Sequence, residues 1–165
     1  RFKYFLSQEL KVPVKNIESL VLGGHGDTMV PMPNQTKVNG KELSQLIKKE
    51  KLDLIIEKTR KGGAEIIKYL EKGSAFYAPA ASGVDMAESF LKNLKKSLPC
   101  AAYLNGEYGV KNIYAGVPVV IGDQGVEKII EIKLEEKEKE NFKISVKAVK
   151  ELFQAAILID SDLKK

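Results

Sequence analysis

The sequence predicts an α+β domain in which a largely antiparallel sheet is flanked by helices. Hairpin signals, Asn105-Gly106 and Asp123-Gln124-Gly125, join three candidate strands. These strands lie at 98–104, 117–122 and 126–133. Two long stretches, 51–72 and 135–159, carry apolar or small residues at helical spacing. Helices on both sides of a run of strands are typical of the α+β class, and 165 residues fit a single domain.

The N-terminal residues have the pattern of a helix that covers 2–10 and ends before Pro13. Because Arg1 falls inside this pattern and is not a methionine, we expect the chain to be a fragment whose first helix has lost its beginning. A candidate strand follows at 16–22, and residues 29–32 are expected to be extended.

The next predicted elements are a turn at 38–41 and a short helix to about Lys49. A longer helix follows over 51–72, and its stripe is interrupted by Gly62-Gly63. Each glycine in a helix costs about 1 kcal/mol, so we expect the pair to allow close backbone packing. Gly73 is predicted to end this helix.

Two more helices are predicted in the second half of the chain. One begins near Pro79, because proline suits the first helical turn, and runs to about Lys96. The last runs from about Glu135 to Ile159 and is amphipathic. Its apolar side is formed by residues 142, 146, 149, 153 and 156.

The formal net charge is +5, but only Arg1 and Arg60 of the 27 basic residues are arginine. Nucleic-acid-binding proteins tend to cluster arginine with aromatic residues, so we expect no nucleic-acid partner. Arginines in a chain that otherwise uses lysine point to places where a planar, bidentate group is needed.

Cys100 is the single cysteine, so no disulfide can form within the chain, and a reducing, cytoplasmic location is the simplest expectation. Since Cys100 lies in a candidate strand, we expect an inert, buried thiol. No apolar stretch approaches the roughly 20 residues needed to cross a membrane, and we expect no membrane partner.

Several binding motifs are missing from the sequence. No Gly-x-Gly-x-x-Gly loop and no Gly-x-x-x-x-Gly-Lys-Ser/Thr loop is present, so the chain has no recognisable nucleotide-binding half. One histidine and one cysteine cannot build a typical zinc site, and no metal is expected.

His25 is the only histidine, and it lies between glycines in the run 23–28 (GGHGDT), directly after an apolar stretch. An imidazole titrates near neutral pH and can transfer protons. A lone histidine without a visible nucleophile or second ligand can equally be structural. The residues by themselves therefore make His25 a candidate acid/base and leave the structural alternative open.

The segment 21–31 (VLGGHGDTMVP) closely resembles the active-site segment of the lactate/malate dehydrogenase family. The resemblance continues in order along nearly the whole chain. Its further segments are 59–66 (TRKGGAEI), 73–82 (GSAFYAPAAS), 98–103 (LPCAAY), 116–119 (GVPV) and 127–131 (EKIIE). It implies that residues 1–165 are the family's C-terminal substrate-binding and catalytic domain, and that its N-terminal, NAD-binding Rossmann half is absent from this chain.

The resemblance also implies roles for two charged or titratable side chains. His25 would accept and donate the proton of the substrate hydroxyl, and Arg1 would hold the substrate carboxylate with two parallel N–H donors. The family's Asp partner of the histidine would stand three residues before Arg1, outside this chain. Asp27 is a possible substitute, although loop capping suits it better. Arg60 is expected to form a salt bridge at a subunit contact.

Three more positions match the family's pocket. Ala75 and Ser82 would bind substrate and Pro79 would line the nicotinamide pocket, although Pro79 also fits a helix entry and Ser82 also fits helix packing. The run Ala78–Ser82 (APAAS) is more similar to members that act on malate than to those that act on lactate.

The implied cofactor is NAD, bound mainly by the absent half, and the implied substrates are malate and oxaloacetate, with lactate as the alternative. The implied partners are the missing Rossmann domain and further copies in a homo-oligomer. As an isolated chain, a non-catalytic oligomerisation module is the other interpretation, because without a cofactor site no hydride can be transferred.

Overall fold

The computed structural model describes residues 1–164, which form four α-helices and eight strands. The helices are α1 (Phe2–Leu10), α2 (Lys49–Leu70), α3 (Tyr77–Leu91) and α4 (Glu136–Ile159). The strands are β1 (Ile17–Glu18), β2 (Val21–Leu22), β3 (Val30–Pro31), β4 (Lys37–Val38), β5 (Lys41–Glu42), β6 (Lys96–Asn105), β7 (Lys111–Gly122) and β8 (Gly125–Ile129). Every strand pairing in this described part is antiparallel, so the predicted α+β class is confirmed.

The largest sheet has the order β6-β7-β8. The two-residue turn at Asp123 and Gln124 joins β7 to β8, as predicted. β7 begins at Lys111 instead of residue 117, because buried Ile113 and Ala115 continue the alternation of inward and outward side chains.

One face of this sheet is covered by α4, which begins with a capping box between Glu135 and Glu138. Phe142 and Val146 of α4 are buried against the sheet. The resulting cluster, here called the sheet core, draws on β2, β3, β6, β7 and α4. Its members are Leu22, Val30, Met32, Ala102, Leu104, Val110, Ile113, Ala115, Val117, Val119, Ile121, Leu134, Phe142 and Val146.

A second cluster, here called the helix core, lies between α1, α2 and the small sheet β1-β4-β5. Its buried members are Phe2, Leu6, Ile17, Val38, Leu43 and Ile55. Successive side chains of a strand point to opposite faces, and in β2 Val21 packs on the helix core whereas Leu22 belongs to the sheet core. The loop after β2 therefore begins where the two cores meet.

Two predictions for the first half of the chain are wrong in detail. The single strand expected at 16–22 is divided, because β1 pairs with β4 and β2 pairs with β3. The short helix expected before Lys49 is only a 3-10 turn, Leu43–Gln45, whose Leu43 is held in the helix core.

The boundaries of α3 also differ from the prediction. The helix begins at Tyr77, so Pro79 is its third residue, where no intrahelical N–H donor is needed. It ends at Leu91 instead of Lys96, because Asn93 and Lys95 have φ values of 47° and 52°, which an α-helix cannot continue.

Two side chains are less buried than expected. Cys100 lies in β6, as predicted, but is half-buried. Phe153 is 40% exposed, because the buried side chains of α4 all lie between Glu138 and Val146. Within residues 1–164, no helix is both long and apolar enough to cross a bilayer.

Candidate active site

The loop between β2 and β3 carries His25 and is fixed to the sheet at its start. Gly23 and Gly116 of β7 exchange two backbone hydrogen bonds, each 2.8 Å long. Gly23 has a φ of +85°, and a Cβ on Gly116 would lie 2.6 Å from the Gly23 carbonyl oxygen. Both glycines are therefore required for the close approach that places the loop.

Two side chains hold the rest of the loop. Ser145 of α4 is fully buried, and its Oγ accepts a 2.8 Å hydrogen bond from the Gly24 N–H and donates to Thr28 Oγ1 at 3.3 Å. Arg60 of α2 donates from Nε to the Met29 carbonyl oxygen at 3.0 Å. Within residues 1–164 Arg60 thus binds backbone and forms no ion pair, and the predicted salt bridge at a subunit contact stays a prediction.

Arg1 contacts His25 from the helix core. It directly precedes α1, and its guanidinium donates from Nη1 to the Thr59 carbonyl oxygen at 3.3 Å. Its Nη2 lies 2.9 Å from Nε2 of His25. A Cβ on Gly62 would lie 3.1 Å from Arg1 Cδ, and one on Gly63 would lie 3.3 Å from Nη1. The pair was predicted to allow close packing of another backbone, whereas in the structure the side chain of Arg1 packs on it.

The contact with Arg1 bears on the protonation of His25. A guanidinium only donates hydrogen bonds, so Nε2 of His25 is the acceptor in this contact. Partial burial, followed by the charge of Arg1, lowers the pKa of His25 below its usual 6.5. At neutral pH this side chain is therefore ready to accept a proton.

Among the described residues, Asp27 forms no hydrogen bond with His25. Within residues 1–164, the side chain hydrogen-bonded to His25 is that of Arg1. The pKa of Lys61 is raised chiefly by Glu57 and to a smaller extent by Asp27, which places the Asp27 charge near Lys61. Two positions after His25, Asp27 is a loop residue in this structure.

His25 and Arg1 lie on an open cleft of about 400 Å³ between the two cores. The cleft is lined by Arg1, Phe2, Val21, Leu22, Gly23, Gly24, His25, Met29, Thr59, Pro99, Cys100, Ala101, Tyr114, Ala115, Gly116 and Val149. Burial raises the pKa of the Cys100 thiol, so it stays protonated and poorly nucleophilic. A larger, shallower hollow of about 590 Å³ along 44–50 contains neither histidine nor arginine, so the cleft is the better candidate.

The sequence of residues 1–157 matches the family model described as lactate/malate dehydrogenase, alpha/beta C-terminal domain. The chain belongs to the lactate/malate dehydrogenase family. The predicted resemblance to the C-terminal domain of this family is thus confirmed, and four helices with small antiparallel sheets are its architecture.

Relatives support the same assignment. A malate dehydrogenase from Pelagibacter ubique (strain HTCC1062) is 65% identical over 100% of this chain and 53% of its own length. A solved malate dehydrogenase from Salinibacter ruber has a TM-score of 0.91 at 43% identity, over 98% of this chain and 53% of its own. A lactate dehydrogenase from Eimeria maxima, solved with NADH and oxamate, has a TM-score of 0.91 at 37% identity, over 98% of this chain and 52% of its own. The chain spans about half the length of these relatives.

The other positions matched to the family's pocket lie away from the cleft. Ala75 is half-buried just before α3, whereas Pro79 and Ser82 are exposed on its first turns. The Ser82 hydroxyl donates to the Ala78 carbonyl oxygen at 3.0 Å. None of the three is among the residues that line the cleft with His25. Their roles in binding substrate or nicotinamide therefore stay predictions.

The residues described here do not fit a complete dinucleotide site. Their strands pair only antiparallel, so they offer no parallel strand with a glycine-rich turn into a helix, the arrangement that holds a pyrophosphate. No group of three potential metal ligands occurs among them either.

Three residues that hold the site were missed in the sequence. Thr59 acts through its backbone carbonyl, which leaves no mark in a sequence pattern, whereas Gly116 is a glycine inside a strand, which indicates the close approach of another backbone. Ser145 also leaves a mark, because it stands between the apolar positions 142, 146 and 149 on the buried side of α4. A polar residue on an apolar stripe indicates a buried hydrogen-bond partner.

Proposed function

We propose that this chain is the substrate-binding and catalytic half of an NAD-dependent malate dehydrogenase, which interconverts malate and oxaloacetate. The observation that carries the proposal is the 2.9 Å contact between Arg1 Nη2 and His25 Nε2 at an open cleft. One group binds carboxylates and the other transfers protons, and a 2-hydroxy acid presents a carboxylate and a hydroxyl on adjacent carbons.

In malate oxidation, the Arg1 guanidinium binds the carboxylate next to the reacting carbon and fixes its orientation through two N–H donors. The substrate hydroxyl takes the place of Arg1 at Nε2 of His25, and the neutral imidazole accepts the hydroxyl proton. Bound NAD supplies the acceptor for the hydride that leaves the same carbon. In the reverse direction the protonated His25 polarises the carbonyl of oxaloacetate and protonates its oxygen.

The choice of malate over lactate rests on the 65% identical relative and on the APAAS run. The family resemblance implies that arginines in the half outside this chain bind the second carboxylate. Lactate is therefore the alternative substrate, and an assay with both acids decides between them, since the second carboxylate is their main difference.

The partners in this proposal are the nucleotide-binding half and further copies of the protein. Large apolar side chains on two helices are exposed, among them Tyr77 (84%), Leu91 (78%), Leu158 (85%) and Ile159 (90%). Surfaces of this kind mark contacts with other protein. We further propose a cytoplasmic location, which the single Cys100 favours.

The proposal is tested by assaying the chain with and without the other half. Residues 1–165 alone should give no malate-dependent reduction of NAD at any substrate level, because they lack the dinucleotide site. The full-length protein should reduce NAD with malate faster than with lactate. Turnover by the purified chain alone, or a full-length protein inactive with both acids, would contradict the proposal.

The same exposed side chains favour a second candidate for the isolated chain, a non-catalytic oligomerisation module. Sedimentation at micromolar concentration should then show self-association, most simply as a two-fold dimer. A monomer without concentration dependence would rule this candidate out.

A further inference from the structure

Ser145 is a polar residue on the apolar side of α4, facing the His25 loop. It lies between Phe142 and Val149 and is fully buried. Its hydroxyl has two partners, both in the loop: it accepts from the Gly24 N–H at 2.8 Å and donates to Thr28 Oγ1 at 3.3 Å. The hydroxyl thus joins the residue before His25 to a residue three positions after it.

The loop backbone lies directly on α4 at this point. A Cβ on Gly23 would come within 2.3 Å of Ser145 Oγ, and a Cβ on Gly24 within 2.8 Å of Val149 Cγ2. The loop and α4 are in direct contact, so a change of the side chain at residue 145 shifts the backbone of the loop. His25 follows Gly24 directly, so its imidazole moves with this backbone.

We propose that Ser145 is a positioning residue for His25, whose hydroxyl fixes the loop through Gly24 and Thr28 and thereby aims Nε2 at the substrate position beside Arg1. The proposal rests on the proposed function of His25 as proton acceptor. The positioning itself is measurable without activity, so the two can fail separately.

Ser89 provides a matched control. It is a fully buried serine on α3, its Oγ donates to the Ile121 carbonyl oxygen at 2.7 Å, and it accepts from the Lys96 N–H at 3.2 Å. Ser89→Ala removes two hydrogen bonds, as Ser145→Ala does. Neither partner of Ser89 lies in the His25 loop. A purely structural role predicts equal behaviour of the two variants.

The test uses NMR on the 165-residue chain. Its imidazole signals can be assigned directly to His25, because His25 is the only histidine. Ser145→Ala should shift the His25 imidazole signals and speed amide exchange at Gly24 by about tenfold, as expected for one lost hydrogen bond. Ser89→Ala should leave both unchanged. Equal effects of the two variants, or no effect of Ser145→Ala, would overturn the proposal.

Ser145→Cys keeps the test decisive if the alanine variant does not fold. A thiol has a similar shape and is a weak acceptor, so both signals should move in the same direction by a smaller amount. Unchanged His25 signals and Gly24 exchange in the folded Cys variant would also overturn the proposal.

Kinetics of the full-length protein separate positioning from function. Ser145→Ala should lower kcat for malate by about tenfold or more, because misplaced reacting groups slow chemistry, with KM within about twofold of the original. Ser89→Ala should change neither. Shifted His25 signals with an unchanged kcat would support the positioning by Ser145 and contradict the proposed role of His25.

Discussion

His25 and Arg1 approach each other from the sheet core and the helix core, and the two cores hold them differently. The His25 loop is fixed through its backbone, by two hydrogen bonds to Gly116, one to Ser145 and one to Arg60. The guanidinium of Arg1 stands at the end of a long side chain, and besides His25 it has one hydrogen bond of 3.3 Å, to the Thr59 carbonyl oxygen.

This difference matches what each group would do under the proposed function. Proton transfer requires heavy atoms within about 2.6–3.2 Å of each other, so the acceptor has to be held by a rigid backbone. A carboxylate clamp has to leave its apo partner and follow the substrate, and a long side chain over two glycines permits that movement. Under the proposed function, His25 is therefore a fixed proton acceptor and Arg1 an adjustable clamp beside it.

The fixed side should show the largest loss of activity. In the full-length protein, His25→Asn should lower kcat by about 10²–10⁴-fold, because asparagine cannot accept the hydroxyl proton. Circular dichroism should show an unchanged fold, since the loop is held by its backbone. A variant with a tenth of the original turnover would show that His25 is not the acid/base.

The adjustable side should affect binding geometry. Arg1→Lys keeps the charge but loses the bidentate fork, so kcat/KM for oxaloacetate should fall by about 10–100-fold. The affinity for NADH, measured by fluorescence titration, should change little. A loss of equal size in NADH affinity would instead indicate general misfolding.

A smaller effect on substrate binding is expected when a methyl group is added at Gly63, next to the Arg1 guanidinium. Gly63→Ala places a Cβ about 3.3–3.4 Å from both terminal nitrogens of Arg1, which must then move away. KM for oxaloacetate should rise about threefold to tenfold, while helix propensity favours the variant by up to about 1 kcal/mol.

The matched control for this substitution is Gly83→Ala in α3, where a Cβ would meet nothing within 4 Å. It should give the same gain in thermal stability with an unchanged KM. Equal KM values for the two alanine variants would show that the glycine pair does not set the position of Arg1.

The smallest expected effect is on the titration of His25. NMR of the chain should give a pKa below 6.5, and Arg1→Ala should raise it without reaching 6.5, because burial remains. Between the lowered pKa and 6.5 the unfolded chain binds more protons than the folded one. The free energy of unfolding should therefore decrease as the pH falls through this interval and be independent of His25 above it. A pKa of His25 above 6.5 would contradict the neutral, acceptor state.

The sequence predicted what depends on local pattern. Helical spacing predicted α2 and α4 to within about two residues, and turn chemistry predicted the β7-β8 hairpin. The division of 16–22 into two strands was missed, because it depends on two different long-range partners, β3 and β4. The role of Arg60 was missed for the same reason, since the acceptor is a backbone carbonyl 31 positions earlier.

For the site, the motif around His25 and the resemblance it carries predicted the two groups that meet in the cleft. No sequence pattern predicted that Arg1 would contact Nε2 directly, because the distance depends on how α1 packs on Gly62 and Gly63 of α2. The packing of side chains between elements that are far apart in the chain is what the sequence alone left open.

The strand β2 connects the two hydrophobic cores through adjacent side chains, Val21 on one and Leu22 on the other. Because β2 belongs to both cores, opening of either core moves the strand that leads into the His25 loop and changes the distance between Arg1 and His25. Substitutions in α1 or β7 that do not contact the cleft can thus lower the fraction of molecules in which the cleft is assembled.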